Sequence, residues 1–102
     1  MENKDFANRL AQLRQNKSIS ARDMSLSLGF SQGYINNIEN GINFPSFPNF
    51  FYICEFLGVT PSEFFDLQSH DPTKLNELAQ AAKGLSNEQL DSIITIIKSM
   101  KK

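Results

Sequence analysis

The chain has 102 residues, 40% of them hydrophobic, and a formal net charge of −1 at pH 7. That length suits one small domain with an appendage, and the charge gives no bulk pull toward nucleic acid or an anionic membrane. The lone cysteine, Cys54, excludes an internal disulfide and a cysteine-rich zinc site. No apolar run is long enough for a signal-peptide core or a membrane span, so a soluble cytoplasmic protein is expected. Cys54 is expected to be a small core residue, and His70 has no metal partners in view. With one histidine, one cysteine and no glycine-rich phosphate loop, no enzyme, cofactor or metal centre is expected.

The first helix is expected over about residues 4–16, where Phe6, Leu10 and Leu13 recur at i, i+4 and i+7. Lys17 and Ser18 make a turn, and Ile19 returns to the core. Ser20 is a good N-cap with Asp23 at N3, so a second helix runs about 21–28 with Met24 and Leu28 facing inward. A third helix is expected over about 32–40, capped by Ser31 and stopped at Asn40-Gly41. A loop covers 42–45. The fourth helix starts after Ser46, with Pro48 tolerated in its first turn, and runs through Phe50, Ile53, Cys54 and Leu57 to Gly58. Thr60-Pro61-Ser62-Glu63 opens a fifth helix, and Phe64, Phe65 and Leu67 are expected to close the core.

Residues 68–72 form a polar break that divides the chain into residues 1–68 and a helical extension, 69–102. In the extension, Leu75, Leu78, Ala79 and Ala82 mark a short amphipathic helix that stops at Gly84. Ser86-Asn87-Glu88-Gln89 is a capping box. It is followed by Leu90, Ile93, Ile94, Ile97 and Met100 at helical spacing. That stripe is too wide to leave in water, and it either folds back on its own domain or pairs with a second chain. The polar break favours pairing, as a two-fold symmetric dimer.

Ser25, Gly29, Ile35 and Ile38 have the spacing of a helix-turn-helix. The glycine supplies the positive φ of a tight turn, Ser25 lets the helices cross closely, and the two isoleucines anchor the second helix. Its opposite face is then free to enter a DNA groove. Charge is unevenly spread. Residues 1–22 carry five Lys/Arg and two acids; residues 23–68 carry five acids and no base; residues 69–102 carry five Lys and four acids.

The chain also resembles the lambda-repressor-like, Cro-type helix-turn-helix domains of the xenobiotic-response-element (XRE) family. The likeness runs over about residues 9–66. It rests on Leu28-Gly29, Ile38-Glu39-Asn40-Gly41, Pro45-Ser46 and Leu57-Gly58-Val59 in that order. The resemblance implies an all-α fold: a five-helix DNA-binding domain with the helix-turn-helix as helices 2 and 3, here followed by the C-terminal extension. It implies a sequence-specific regulator, often a dimeric repressor, and an ion pair between Arg14 and Glu39. The chain departs from the family where Ala21 replaces the usual Gln and where Ile42 and Asn43 replace the usual bases after Gly41.

The partner expected is therefore double-stranded DNA, bound by a homodimer. Gln32, Asn36 and Asn37 are the candidates for base edges, because amide side chains can bond adenine bidentately. Phosphate candidates are Ser20, Arg22, Ser31, Tyr34, Asn40 and Asn43, with Tyr34 alternatively meeting a thymine methyl. Arg9 and Lys17 are expected to face solvent. Leu90, Ile93, Ile94, Ile97 and Met100 are the dimerisation candidates. Phe44, Phe47, Phe50, Phe51 and Phe56 either leave an exposed apolar patch or fill a phenylalanine-rich core. The base-free stretch 23–68 motivates an alternative, a protein-interaction or antitoxin-like module that keeps the fold with weak DNA affinity.

Overall fold

Seven helices, and no strand, make up residues 3–101, the part of the chain that the computed structural model describes. They are α1 (Asn3–Asn16), α2 (Ala21–Ser27), α3 (Tyr34–Glu39), α4 (Phe47–Leu57), α5 (Pro61–Phe65), α6 (Pro72–Ala82) and α7 (Asn87–Met100). Five begin on a side chain that accepts the N3 amide: Ser20, Ser46, Thr60, Asp71 and Ser86. Each satisfies a backbone donor that the helix itself cannot. Gly58, at φ 72°, ends α4 in the left-handed conformation that a side chain would strain.

The core lies within α1–α5. Leu10, Met24, Ile35, Ile38, Ile53, Leu57 and Phe64 are at most 1% exposed, and Cys54 is buried beside them. Burying each large apolar side chain contributes about 1.5–3 kcal/mol. Burial also pushes the Cys54 thiol up to about 11, so it stays protonated and unreactive at neutral pH. Two residues expected in the core are not in it. Phe65 is 46% and Leu67 53% exposed. The reason is the brevity of α5: one turn aims a single ring, Phe64, inward before the chain leaves at Asp66.

Arg9 corrects the expectation of a solvent-facing charge. It is 2% exposed. Its Nε donates to the Phe64 carbonyl, and its two terminal nitrogens donate to the carbonyls of Glu63 (2.7 Å), Asp66 (2.9 Å) and Ser69 (2.8 Å) and to Gln12 Oε1 (2.6 Å). The guanidinium thus closes the C-terminus of α5, where carbonyls lack helical partners and a cation is favoured. Burial pulls its pKa down and Asp66 pulls it back up; it remains charged.

The segment after α5 is tied to α1 as well. Asn16 donates to the His70 carbonyl at 2.7 Å, Gln12 Nε2 lies 2.9 Å from His70 Nδ1, and Lys17 reaches Thr73 Oγ1 at 2.8 Å. Pro72 is buried. In contrast, no residue of α7 is buried, so the last helix takes no place in the core of its own chain.

Candidate nucleic-acid interface

Within the helix-turn-helix, α3 is held by hydrogen bonds from three other helices, α2, α1 and α4. Gly29 turns the chain at φ 80°. Ser25, fully buried, donates to the Ala21 carbonyl at 2.7 Å and accepts from the Ile35 amide at 3.0 Å. That second bond matters because α3 does not begin where expected. It starts at Tyr34, its N-cap is Gly33, and no side chain of its own segment caps it. Ser31 is exposed and contributes its carbonyl to the Tyr34 amide at 3.1 Å, not a side-chain cap. Glycine at 33 offers no side-chain acceptor, so the hydroxyl from α2 takes that task across the turn.

The other end of α3 is pinned by Arg14. Its Nε and a terminal nitrogen bond the two Glu39 oxygens at 2.7 and 2.9 Å, and its remaining nitrogen bonds the Ile19 carbonyl at 2.7 Å. Both side chains are largely enclosed, and the bond to Glu39 holds Arg14 above its ordinary pKa. Two further bonds close α3, from the Gly41 amide to Ile38 and from the Ile42 amide to Asn37, with Gly41 at φ 75°. From α4, Asn49 donates to the Tyr34 hydroxyl at 2.9 Å, and the Tyr34 ring lies on Phe30 with centroids 4.2 Å apart. Tyr34 is half-buried, and its hydroxyl is already engaged on the protein side.

With Ile35 and Ile38 fully inside, Asn36, Asn37 and Asn40 fall on the outer side of α3 and are exposed. Gln32 is exposed too, but it stands in the turn ahead of the helix rather than in its first turn. Arg22 reaches it from α2, donating from Nε to Gln32 Oε1 at 3.3 Å. Ser20, Arg22 and Asn43 are exposed; the Ser20 hydroxyl oxygen accepts the Asp23 amide at 3.0 Å. The outer surface is therefore a row of neutral amides with one cation, Arg22, at its N-terminal edge. Sequence reasoning missed the Ser25 hydroxyl and Asn49 as anchors. The signal for the first was the pairing of a small polar residue in α2 with a capless glycine at 33.

Elsewhere, the phenylalanines divide. Phe50 joins the core. Phe44, Phe47, Phe51 and Phe56 are 36–81% exposed. Phe6, Phe44, Pro45, Phe47, Phe50 and Phe65 line an apolar hollow of about 330 Å³. Of the α7 stripe, Leu90, Ile93 and Ile97 are half-buried against α6, while Ile94 and Met100 stand exposed. Among the described residues, no group of three or more His, Cys, Asp or Glu is placed to hold a metal ion. No helix among them is long and apolar enough to cross a membrane.

A solved structure similar to this one is the restriction-modification controller protein C.AhdI from Aeromonas hydrophila. The two are 27% identical with a TM-score of 0.58, over 62% of this chain and 91% of that one. No curated protein matches the chain. A family model described as a helix-turn-helix domain matches residues 7–69, which spans α1 to α5 with the anchored α2–α3 pair at its centre. With the all-helical fold, that match agrees with the lambda-repressor-like, XRE-type resemblance, and the chain belongs to the helix-turn-helix domain family.

Proposed function

We propose that the chain is a sequence-specific, DNA-binding transcriptional regulator that lays the outer face of α3 in the major groove. The observation that carries this is the exposed amide row, Asn36 and Asn37 on a short helix clamped by Ser25, Arg14 and Asn49, with Gln32 in the turn just ahead of it. A rigid mount keeps donors and acceptors aimed at base edges, where amide side chains pair with adenine N6 and N7. Ser20, Arg22, Asn40 and Asn43 flank the row as phosphate contacts. Tyr34 and Ser31 contribute to positioning, since the Tyr34 hydroxyl is taken by Asn49. The likeness to a restriction-modification controller supports regulation by occupying an operator.

The regulator acts as a homodimer joined through α7. Its Leu90, Ile93, Ile94 and Ile97 line an open apolar groove of about 310 Å³ against α6; Ile94 is still exposed there, and Ile96 and Met100 stand outside the groove. Two helices alone cannot bury a two-sided stripe, whereas two such hairpins form a four-helix arrangement. Residues 69–102 carry five Lys and four acids, so two copies meet without strong repulsion. Ile94→Asp with Ile97→Asp is predicted to give a monomer in sedimentation equilibrium with α1–α5 still folded; a dimer of unchanged affinity would remove α7 from the interface.

Selection from random duplexes with the purified chain tests the central reading. It is expected to return a palindrome with half-sites one helical turn apart. The absence of Lys and Arg from residues 23–68 favours a second reading, an interaction module with weak DNA affinity. Selection that enriches no motif would favour that module.

A further inference from the structure

The chain places no cation of residues 23–68 near α3, so any positive charge at the far end of that helix must come from another element. One does. Lys4, Ala7, Asn8, Glu39, Asn40 and Gly41 line a surface cleft of about 300 Å³ at the C-terminal end of α3. We propose that this cleft is a phosphodiester site, with Lys4 as its charge and Asn8 and Asn40 as neutral donors. The inference rests on the reading of α3 as the groove-facing helix and adds the site that holds its second end.

Three features fit the cleft to a backbone phosphate. Lys4 stands exposed on α1, whose Phe6, Ala7 and Leu10 are buried, so the lysine stem rises from a fixed base. An ammonium on a flexible stem suits a phosphate as a point charge. The carboxylate in the lining, Glu39, is compensated because Arg14 takes both its oxygens. Asp5, next in sequence to Lys4, lines a different cleft with Asn8, Arg9, Gln12 and Leu67. The amide row is then bracketed by cations: Arg22 bonded to Gln32 at one end and Lys4 beside Asn40 at the other. Neutral amides read bases between two charges that meet the phosphates on either side.

The test is fluorescence anisotropy of the full chain on a selected duplex and on a scrambled one, between about 50 and 200 mM salt. Lys4→Gln is expected to weaken both duplexes by the same factor, about tenfold at the lowest salt, and to make the log–log salt slope shallower by about 0.9. Lys4→Arg should restore both. Asn8→Ala should weaken binding without changing the slope, and Lys83→Gln, on the loop after α6, should match the wild type. A methylphosphonate scan should find one linkage whose neutralisation weakens the wild type but not Lys4→Gln. Lys4→Gln with wild-type affinity and slope overturns the site while leaving the regulator reading intact. A wild type that binds both duplexes equally overturns sequence-specific reading, and the Lys4→Gln slope then still decides the phosphate site.

Discussion

Replacing Arg9 with methionine keeps an unbranched apolar stem and removes the fork that closes α5. Four backbone carbonyls and Gln12 lose a charged donor. The Phe64 carbonyl is the buried member of the set; losing a charge-assisted bond there costs about 1.5–3 kcal/mol, and leaving the acceptor unpaired adds about 1–3. The Glu63, Asp66 and Ser69 carbonyls lie nearer the surface and recover water, so they add little. Methionine also relieves the desolvation that pulls the Arg9 pKa down, which offsets part of the loss. The net expectation is about 3 kcal/mol, a large share of the 5–15 kcal/mol, roughly, that holds a domain of this size. In a urea titration followed by circular dichroism at fixed protein concentration, the midpoint should fall by about 1.5–2 M. The melting temperature should fall by about 12–24 °C. Arg9→Lys keeps the charge but not the planar fork, and should fall between the two. A methionine variant within about 0.5 kcal/mol of wild type would refute the claim that this guanidinium builds the end of α5, since that is the range of an ordinary surface change.

Ser25→Ala leaves the Ile35 amide buried without an acceptor, so it should cost about 1–3 kcal/mol in the same titration and weaken specific DNA binding alongside. Arg14→Met or Glu39→Gln alone should cost roughly 3 kcal/mol, the lower end for enclosed pairs, and the double variant should cost less than their sum. Additive losses in that cycle would argue against direct coupling. The Thr60 amide and Asn76 hold Glu63 below its ordinary pKa, and Thr73 with the Lys74 amide does the same for Asp71. A depressed carboxylate contributes stability above its unfolded pKa and loses it as pH falls through the folded one. Stability should therefore be level above about pH 5 and drop below it, and Asp71→Asn should flatten part of the drop.

The parts of the fold legible in the sequence were those written in local chemistry. Ser20, Ser46, Thr60 and Ser86 each accept an amide three residues on, a bond readable from spacing alone. The start of α3 was not legible because its acceptor, Ser25, lies ten residues back on another helix. Arg9 was misread for a related reason. Its partners are mostly main-chain carbonyls, which no residue type announces. One signal was present: Arg9 lies three after Phe6 and four before Leu13, on the face of α1 that is buried. The exposed amides Asn36 and Asn37 could be placed because the isoleucines on either side of them fix the inner face of α3. Gln32 was assigned to the helix on the strength of Ser31, and Gly33 instead delays the helix by two residues.

The most direct test of the account is the ratio of dissociation constants for a selected duplex and a scrambled one, measured at one salt concentration for the wild type and for Asn37→Ala. The account predicts a wild-type ratio of at least about 10³. For the variant it predicts a ratio reduced by roughly 1–3 kcal/mol of discrimination, with little change on the scrambled duplex. A ratio near one for the wild type, or a variant that discriminates as well as the parent, would contradict it.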